Sequence, residues 1–319
     1  MRIAAGLVAA LALGAGGAAA RISPPSYALP TWSPDGQRLV FASASGPRGA
    51  VVTAAAVGGS LRSLSRTDAL SQVVWSPRGL RIAYVSHGRV FVIRSDGKQR
   101  HTVGTGVEVG WSPDGARLAF VQSALGGPIV GVDVSGANRK RITGGGYDHG
   151  PAWSPDGSWI AFSRATTIGG VENIYLVGAD GTGLRVLGPQ GSSPSWSPDG
   201  RSLAFWQRNA EGVMLAVYRF ADAQVRRVTR TFAAFSRAPR WSPDGSSLLV
   251  TVCGAFGACR LDVAAADGSS VTRLGPGSDP AWSPDGSRIA FVQRRSCRAS
   301  SVFVARVDGT GLRRITPCR

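Results

Sequence analysis

The chain has 319 residues and a formal net charge of +17, and 43% of its residues are hydrophobic. A chain of this length commonly forms two domains, but a single all-β domain built from repeats reaches the same size. Nearly all of the basic residues are arginine, because the only lysines are Lys98 and Lys140. A positive charge of this size attracts anions, but it does not indicate which anionic partner the protein binds. The four cysteines lack zinc-site spacing, so we expect them to hold no zinc ion.

The N-terminal segment predicts export. After Arg2, residues 3–20 are all apolar, Ala or Gly, and Arg21 follows three alanines, as in a secretory signal peptide. An uncleaved membrane anchor is the alternative, because about 17 residues can cross a bilayer. A lipid anchor needs a cysteine at the cleavage site, and the first cysteine is Cys253. We therefore expect a signal peptide at 1–20, a periplasmic, cell-wall-associated or secreted protein, and no transmembrane span after cleavage.

A five-residue motif organises the rest of the chain. Trp-Ser-Pro-Asp-Gly begins at six tryptophans, and Trp-Ser-Pro-Arg-Gly begins at Trp75. Successive motifs are 43, 36, 42, 43, 45 and 41 residues apart, which is the length of one four-stranded propeller blade. The six tryptophans are Trp32, Trp111, Trp153, Trp196, Trp241 and Trp282.

These repeats predict an all-β fold, a single seven-bladed β-propeller of four-stranded antiparallel blades over residues 21–319. We name the strands of each blade A to D, from the channel outwards. The blades are expected at 29–68, 69–106, 107–148, 149–191, 192–232, 233–278 and 279–319.

The sequence between the motifs assigns the strands. The motif itself favours a tight turn from strand A to strand B. A Leu or Ile seven positions after every motif tryptophan begins an apolar alternation typical of a strand buried on both faces. Asp-Gly pairs, such as Asp308-Gly309, predict hairpins between strands C and D. Arginine recurs in strand D, where charge discourages pairing between sheet edges; a dedicated anion site is the alternative interpretation.

The combination of motif, apolar strand, Asp-Gly and Arg-Arg-Ile-Thr, as in Asp308–Thr316, resembles the blade repeat of the TolB and WD-like propellers over residues 29–317. This family includes periplasmic scaffold proteins and peptidase propeller domains, so the resemblance implies the fold without deciding the function. TolB has an additional N-terminal α/β domain and one blade fewer. Because Arg21 lies 11 residues before Trp32, we expect no counterpart of that domain, and no hydrolase domain after Arg319.

The motif aspartates could suggest a ring of metal ligands or catalytic groups. We interpret them as turn residues, because a turn of this kind already favours Asp at that position. These aspartates are Asp35, Asp114, Asp156, Asp199, Asp244 and Asp285.

The B-to-C loops and the connections between blades are expected on one face of the ring, here called the loop face. The polar residues that do not repeat lie in these connections, close to the starts of the inner strands. They are expected to rim the mouth of the central channel, a concave place of the kind that binds ligands; solvated loop residues are the alternative. The predicted ligand-binding rim comprises Asp68, Glu108, Tyr147, Asp148, His149, Arg237, Arg240 and Asp279.

The residues available for catalysis are few. The chain has three histidines and no Gly-x-Ser-x-Gly elbow. A lactonase or lyase needs carboxylates and histidines around a metal or a general base, and only Asp148 and His149, with Glu108 or Asp279, offer such a group. We expect no catalytic residues, no metal site and no cofactor.

The cysteines are expected to form disulfides in an exported chain. Cys253 ends a strand B and Cys259 opens the next strand C, so a bond between them would close that hairpin. Cys297 and Cys318 are expected on the same face, where a bond would hold the last strand. Four cysteines allow three pairings, and the sequence leaves the choice open.

These observations favour an exported, non-catalytic binding or scaffold propeller of the cell envelope. Its partner would be an envelope protein or an anionic wall or membrane polymer, held at the loop face and channel mouth. The alternative is a propeller enzyme, a lyase- or lactonase-like hydrolase that uses the same mouth. A third possibility is salt-sensitive attachment through the basic outer surface. We expect a monomer and no nucleic acid partner.

Overall fold

The computed structural model describes residues 26–45, 48–67, 69–209, 212–229, 234–254, 258–294 and 299–317. The predicted signal peptide lies outside these ranges, as do Asp68, Cys297 and Cys318. Within them, no helix has the length and apolar character needed to cross a membrane.

The described residues form seven four-stranded antiparallel sheets, each made of four consecutive strands. In chain order the strands are β1 Ser26–Trp32, β2 Arg38–Ser45, β3 Arg48–Ala55, β4 Arg62–Arg66, β5 Leu70–Trp75, β6 Arg81–Ser86, β7 Arg89–Arg94, β8 His101–Thr105, β9 Val107–Trp111, β10 Arg117–Val121, β11 Ile129–Asp133, β12 Lys140–Arg141, β13 Tyr147–Trp153, β14 Trp159–Ala165, β15 Glu172–Gly178, β16 Arg185–Gln190, β17 Ser192–Trp196, β18 Ser202–Asn209, β19 Gly212–Arg219, β20 Gln224–Arg227, β21 Ala234–Trp241, β22 Ser247–Cys253, β23 Cys259–Ala265, β24 Val271–Pro276, β25 Ser278–Trp282, β26 Arg288–Gln293, β27 Ser301–Arg306 and β28 Arg313–Arg314.

The sheets form a closed ring. The first strand of each sheet contacts the first strand of the next, and β25 of the seventh sheet contacts β1 of the first. The predicted seven-bladed propeller is therefore confirmed, with the first strand of each blade innermost.

The hydrophobic core lies between neighbouring blades. One cluster joins Phe41 of the first blade to Val302 and Ile315 of the seventh, so the seam where the ring closes is packed like the other interfaces. Apolar residues on both faces of strands B and C make this possible, because each face packs against a different neighbour.

The motif tryptophans tie the blades together. In five blades the indole Nε1–H donates to the backbone carbonyl of the residue that precedes the motif tryptophan of the previous blade. At the seam, Trp32 donates to the oxygen of Ala281 at 3.0 Å. A buried indole N–H usually has a partner of this kind, but Nε1 of Trp75 and of Trp153 has none among the described residues. The bond therefore helps to fix the spacing of the blades at five interfaces.

Basic side chains of strand D also join neighbouring blades. Arg62, Lys140, Arg226 and Arg313 each donate to a carbonyl in or next to the C-to-D turn of the following blade, and the bond from Arg313 to Val57 crosses the seam. These contacts give part of the basic charge a structural role beyond protection of the sheet edges.

The hairpin between β22 and β23 carries the predicted disulfide. Cys253 and Cys259 are cross-strand partners and are bonded to each other.

Candidate functional site

The central channel contains a cavity of about 420 Å³. Its walls come from the inner strands of the first, second, fifth, sixth and seventh blades, and are built largely of tryptophan, proline and small residues. Among the described residues that line it, the charged ones are Arg237, Arg240 and Asp279. The sequence predicted all three at the channel mouth.

A bulge in each of several inner strands shapes this mouth. In the seventh blade, two residues of β25 oppose one residue of β26, and Asp279 has a φ of 49°. Bulges of this kind bend a strand and change the direction of its side chains. In the sixth blade the bulge is longer, since three residues of β21 oppose one of β22, and Arg237 has a φ of 65°.

The longer bulge places two arginines beside one carboxylate. Arg237 donates from Nε to Oδ1 of Asp279, and the Trp206 indole holds the bulge by donating to the Arg237 carbonyl at 2.7 Å. The Asp279 side chain is only 17% exposed. The Arg237–Asp279 ion pair therefore joins the sixth and seventh blades. The second positive charge, that of Arg240, has no carboxylate to neutralise it.

The Arg240 guanidinium makes no hydrogen bond or ion pair with any residue that the structure describes; the backbone carbonyl of Arg240 accepts from Trp282. The Arg240 side chain is exposed to the water that fills the channel. Partial desolvation by the surrounding blades and the nearby Arg237 charge lower its pKa, and Asp279 partly compensates. An arginine nevertheless stays protonated in proteins. The equivalent positions of the other blades are uncharged: Thr31, Val74, Gly110, Ala152, Ser195 and Ala281.

The structure places Glu108 and His149 together between the third and fourth blades. Glu108 accepts from the Gly150 amide at 2.6 Å, and one of its oxygens lies 3.3 Å from Nδ1 of His149. The hydrogen bond and charge of Glu108, with smaller contributions from Glu172 and Asp148, raise the pKa of His149 against the effect of burial.

Asp148 is not available to a ligand. Its side chain is fully buried, and it accepts hydrogen bonds from Arg164 through both carboxylate oxygens and from the Thr143 hydroxyl. Tyr147 next to it is half-buried. The predicted rim is therefore divided into a channel group of Arg237, Arg240 and Asp279, a Glu108–His149 pair, and a buried structural carboxylate.

The sequence did not single out Gln72, which lines the cavity. Its amide group donates to the carbonyl and accepts from the N–H of Val109 on the next blade, both at 2.8 Å. Nor did it single out Glu172, where the buried Oε2 has no hydrogen-bond partner among the described residues. In the same part of the chain, no group of three or more His, Cys, Asp or Glu residues has an arrangement that could hold a metal ion.

The motif aspartates serve the turns. In each of the six turns, Oδ1 accepts from the motif serine hydroxyl and from a backbone N–H two residues further on. These bonds lower the pKa of the carboxyls, that of Asp285 to about 2 through Ser283 and Ser287. The ring of carboxylates is thus part of the scaffold.

The fold and channel define a seven-bladed β-propeller with a preformed, positively charged cavity at its centre. The family model described as the TolB β-propeller domain matches residues 75–234 and 192–318. The chain belongs to this family. No curated protein sequence matches it.

Solved structures with the same fold are distant in sequence. TolB from Acinetobacter baumannii is 21% identical with a TM-score of 0.56, and the match covers 74% of this chain and 60% of that one. A putative TolB from Agrobacterium tumefaciens is 22% identical with a TM-score of 0.57, covering 77% and 93%. An oligogalacturonate lyase in complex with manganese is 16% identical with a TM-score of 0.72, covering 88% and 90%. At these identities the similarity shows the fold.

Proposed function

We propose that this protein is an exported, non-catalytic binding propeller of the cell envelope, and that its channel mouth holds an anionic group of a protein or polymer partner. The observation that carries the proposal is Arg240, a guanidinium without a described partner inside a cavity of about 420 Å³. The Arg240 side chain is exposed to the water of the channel, and no described carboxylate pairs with it, so its charge is accessible to an anionic group that enters from outside.

The surroundings of Arg240 suit such a partner. Arg237 is already engaged by Asp279, which neutralises one of the two positive charges and holds the bulge in place. A carboxylate or a phosphate can accept from the planar guanidinium through two oxygens. Export is supported by the Cys253–Cys259 disulfide, because disulfides persist in oxidising compartments.

Affinity capture from an envelope extract, with the full chain as bait, tests this function. The wild-type protein is compared with Arg240→Gln and with Arg66→Gln, a matched control that removes the same charge from the exposed end of β4. We expect a partner that survives high salt, is lost with Arg240→Gln and is retained with Arg66→Gln. Capture that disappears in salt for all three proteins would instead indicate attachment by the basic outer surface.

The second candidate is an enzyme that cleaves an acidic saccharide. It is favoured by the match to an oligogalacturonate lyase over 88% of this chain and by the Glu108–His149 pair, which could transfer a proton. Incubation with oligogalacturonate, with and without Mn²⁺, distinguishes the two candidates. An unsaturated product that disappears with His149→Gln would favour the enzyme, and binding without turnover would favour the binding module.

A further inference from the structure

A second cavity, of about 520 Å³, lies on the face opposite the loop face, between the fifth and sixth blades. It is lined by the motif turns of both blades, by the ring of Trp241 and by Ser202, the first residue of β18. It is a groove separate from the charged group of the channel, although Pro198 and Trp241 border both cavities.

Two other interfaces show what can occupy this position. The residue six positions after each motif tryptophan begins strand B, and in four blades it is an arginine: Arg38, Arg81, Arg117 and Arg288. Arg117 stacks over the ring of Trp153, and Arg288 stacks over the ring of Trp32, each with its guanidinium carbon 4.9 Å from the ring centroid. The repeat thus builds a cation–π contact between blades at these two interfaces.

The fifth blade lacks this arginine. Its residue six positions after the motif tryptophan is Ser202, and within the described ranges no cation stacks on the Trp241 ring. A serine side chain is too short to cover an indole, so the space that Arg117 and Arg288 fill elsewhere stays open here.

The charges around the opening favour a cation, although the whole chain is strongly basic. Asp199, Asp244 and Asp267 line the groove. Of the two arginines that also line it, Arg219 is paired with Asp222, and Arg226 donates to the Asp267 carbonyl. The hydrogen bonds of the motif turns lower the pKa of Asp199 and Asp244, so both carboxylates are ionised at neutral pH.

We propose that this groove receives an arginine side chain of a partner polypeptide, which stacks on Trp241 as Arg117 and Arg288 stack on their tryptophans. Arginine fits better than lysine, because a planar guanidinium can stack on the indole and donate to the flanking carboxylates together. The partner thereby completes, between molecules, a contact that other blades make within the chain. This groove is independent of the anion site proposed for the channel.

Indole N–H resonances of the full, ¹⁵N-labelled chain test the inference. The probes are N-acetyl-arginine amide and N-acetyl-citrulline amide, which has nearly the same shape without the charge. We expect the arginine derivative to shift the Trp241 resonance to saturation, and the citrulline derivative to leave it in place. No shift, or an equal shift with both probes, would overturn the proposal.

Variants that fill the groove make the test specific. Ser202→Arg introduces the residue that the first, second, third and seventh blades carry at this position, and Ser202→Trp introduces the residue of the fourth, Trp159. Both are expected to abolish the shift, because the chain then covers Trp241 itself. The matched control is Ser247→Arg, the equivalent change one blade further on, and it should keep the shift. Retention of the shift in both Ser202 variants would overturn the proposal.

Discussion

At the scale of single residues, the motif turns explain why aspartate recurs around the ring. Each motif aspartate accepts from a serine hydroxyl and from a backbone amide, and these bonds replace those that water would make. The sequence predicted this role because the turn chemistry is local. The second blade departs from it, since Arg78 stands where the other blades have Asp.

Arg78→Asp should therefore stabilise the protein. The new carboxylate would accept from Ser76 and from the amide of Leu80, and we expect the free energy of unfolding to rise by about 1 kcal/mol at neutral pH. These bonds lower the pKa of the carboxyl, so the gain should be present above its unfolded value and be lost as pH falls through the folded value. Urea unfolding of both proteins at neutral pH and at about pH 3 measures it. A gain that is unchanged in acid would contradict the explanation.

His149 should make stability depend on pH in the opposite direction. Its folded pKa is raised, chiefly by Glu108, so its contribution is complete below the usual histidine pKa and is lost as pH rises through the folded value. His149→Gln should lower the free energy of unfolding at about pH 5.5 and change it less at about pH 8.5. We expect a difference below about 1 kcal/mol, because the pair is partly exposed.

Glu108→Gln is the companion variant, since it removes the charge that raises the pKa of His149. It should reduce the pH dependence of stability without abolishing it, because the charges of Glu172 and Asp148 also raise the pKa of the His149 imidazole. Equal losses for His149→Gln at both pH values would show that the pair makes no ionic contribution.

Burial is the property of the site residues that the sequence could not supply. Asp148 was expected on the channel rim because it is a non-repeating polar residue in a connection between blades. In the structure β13 already begins at Tyr147, so Asp148 lies within this strand. It pairs with Arg164 on the neighbouring strand β14, and its side chain is buried. Arg240 was predicted at the mouth, but its lack of a partner depends on where Arg237 and Asp279 lie, which only the three-dimensional arrangement determines.

At the scale of elements, the sequence predicted the positions of the strands but not those of the bulges. Apolar alternation and turn motifs predict where a strand lies. The length of the bulge in β21 depends on its pairing with β22, which carries no residue signature here. This bulge sets the direction of Arg237 and thus the charge pattern of the mouth.

The β22–β23 hairpin provides a test at this scale. Cys253→Ser with Cys259→Ser should lower the free energy of unfolding by about 2 kcal/mol, because the bond closes a short loop in the unfolded chain. Chemical unfolding of the oxidised wild type and of the double variant measures the difference. Peptide mapping should find Cys253 joined to Cys259, and a peptide that joins either residue to Cys297 or Cys318 would contradict the structure. The predicted Cys297–Cys318 bond is tested in the same map.

At the scale of the whole molecule, the closed ring was predictable because seven copies of one motif define seven equivalent interfaces. The contacts that close the seam, from Trp32 to Ala281 and from Arg313 to Val57, are the same kinds of bond that join other blades. The charged cavity was less predictable, because it arises where the blades differ.

Trp32→Phe tests the closure. It removes the indole N–H that donates to Ala281 across the seam, and should lower the free energy of unfolding by about 1 kcal/mol. Trp111→Phe is the matched control at an internal interface. Similar losses are expected in urea unfolding. A loss for Trp111→Phe alone would mean that the seam is open in solution.

The anion site in the channel is tested most directly by arginine Nε–H resonances of the ¹⁵N-labelled protein during a titration with succinate, a soluble dicarboxylate. The Arg240 resonance is assigned from its absence in Arg240→Gln, and Arg66, exposed on β4, is the internal reference for nonspecific effects of salt. We expect the Arg240 resonance to shift to saturation, while that of Arg66 drifts slightly without saturating. If Arg240 moves no more than Arg66, the channel is not an anion site and the proposed function loses its basis.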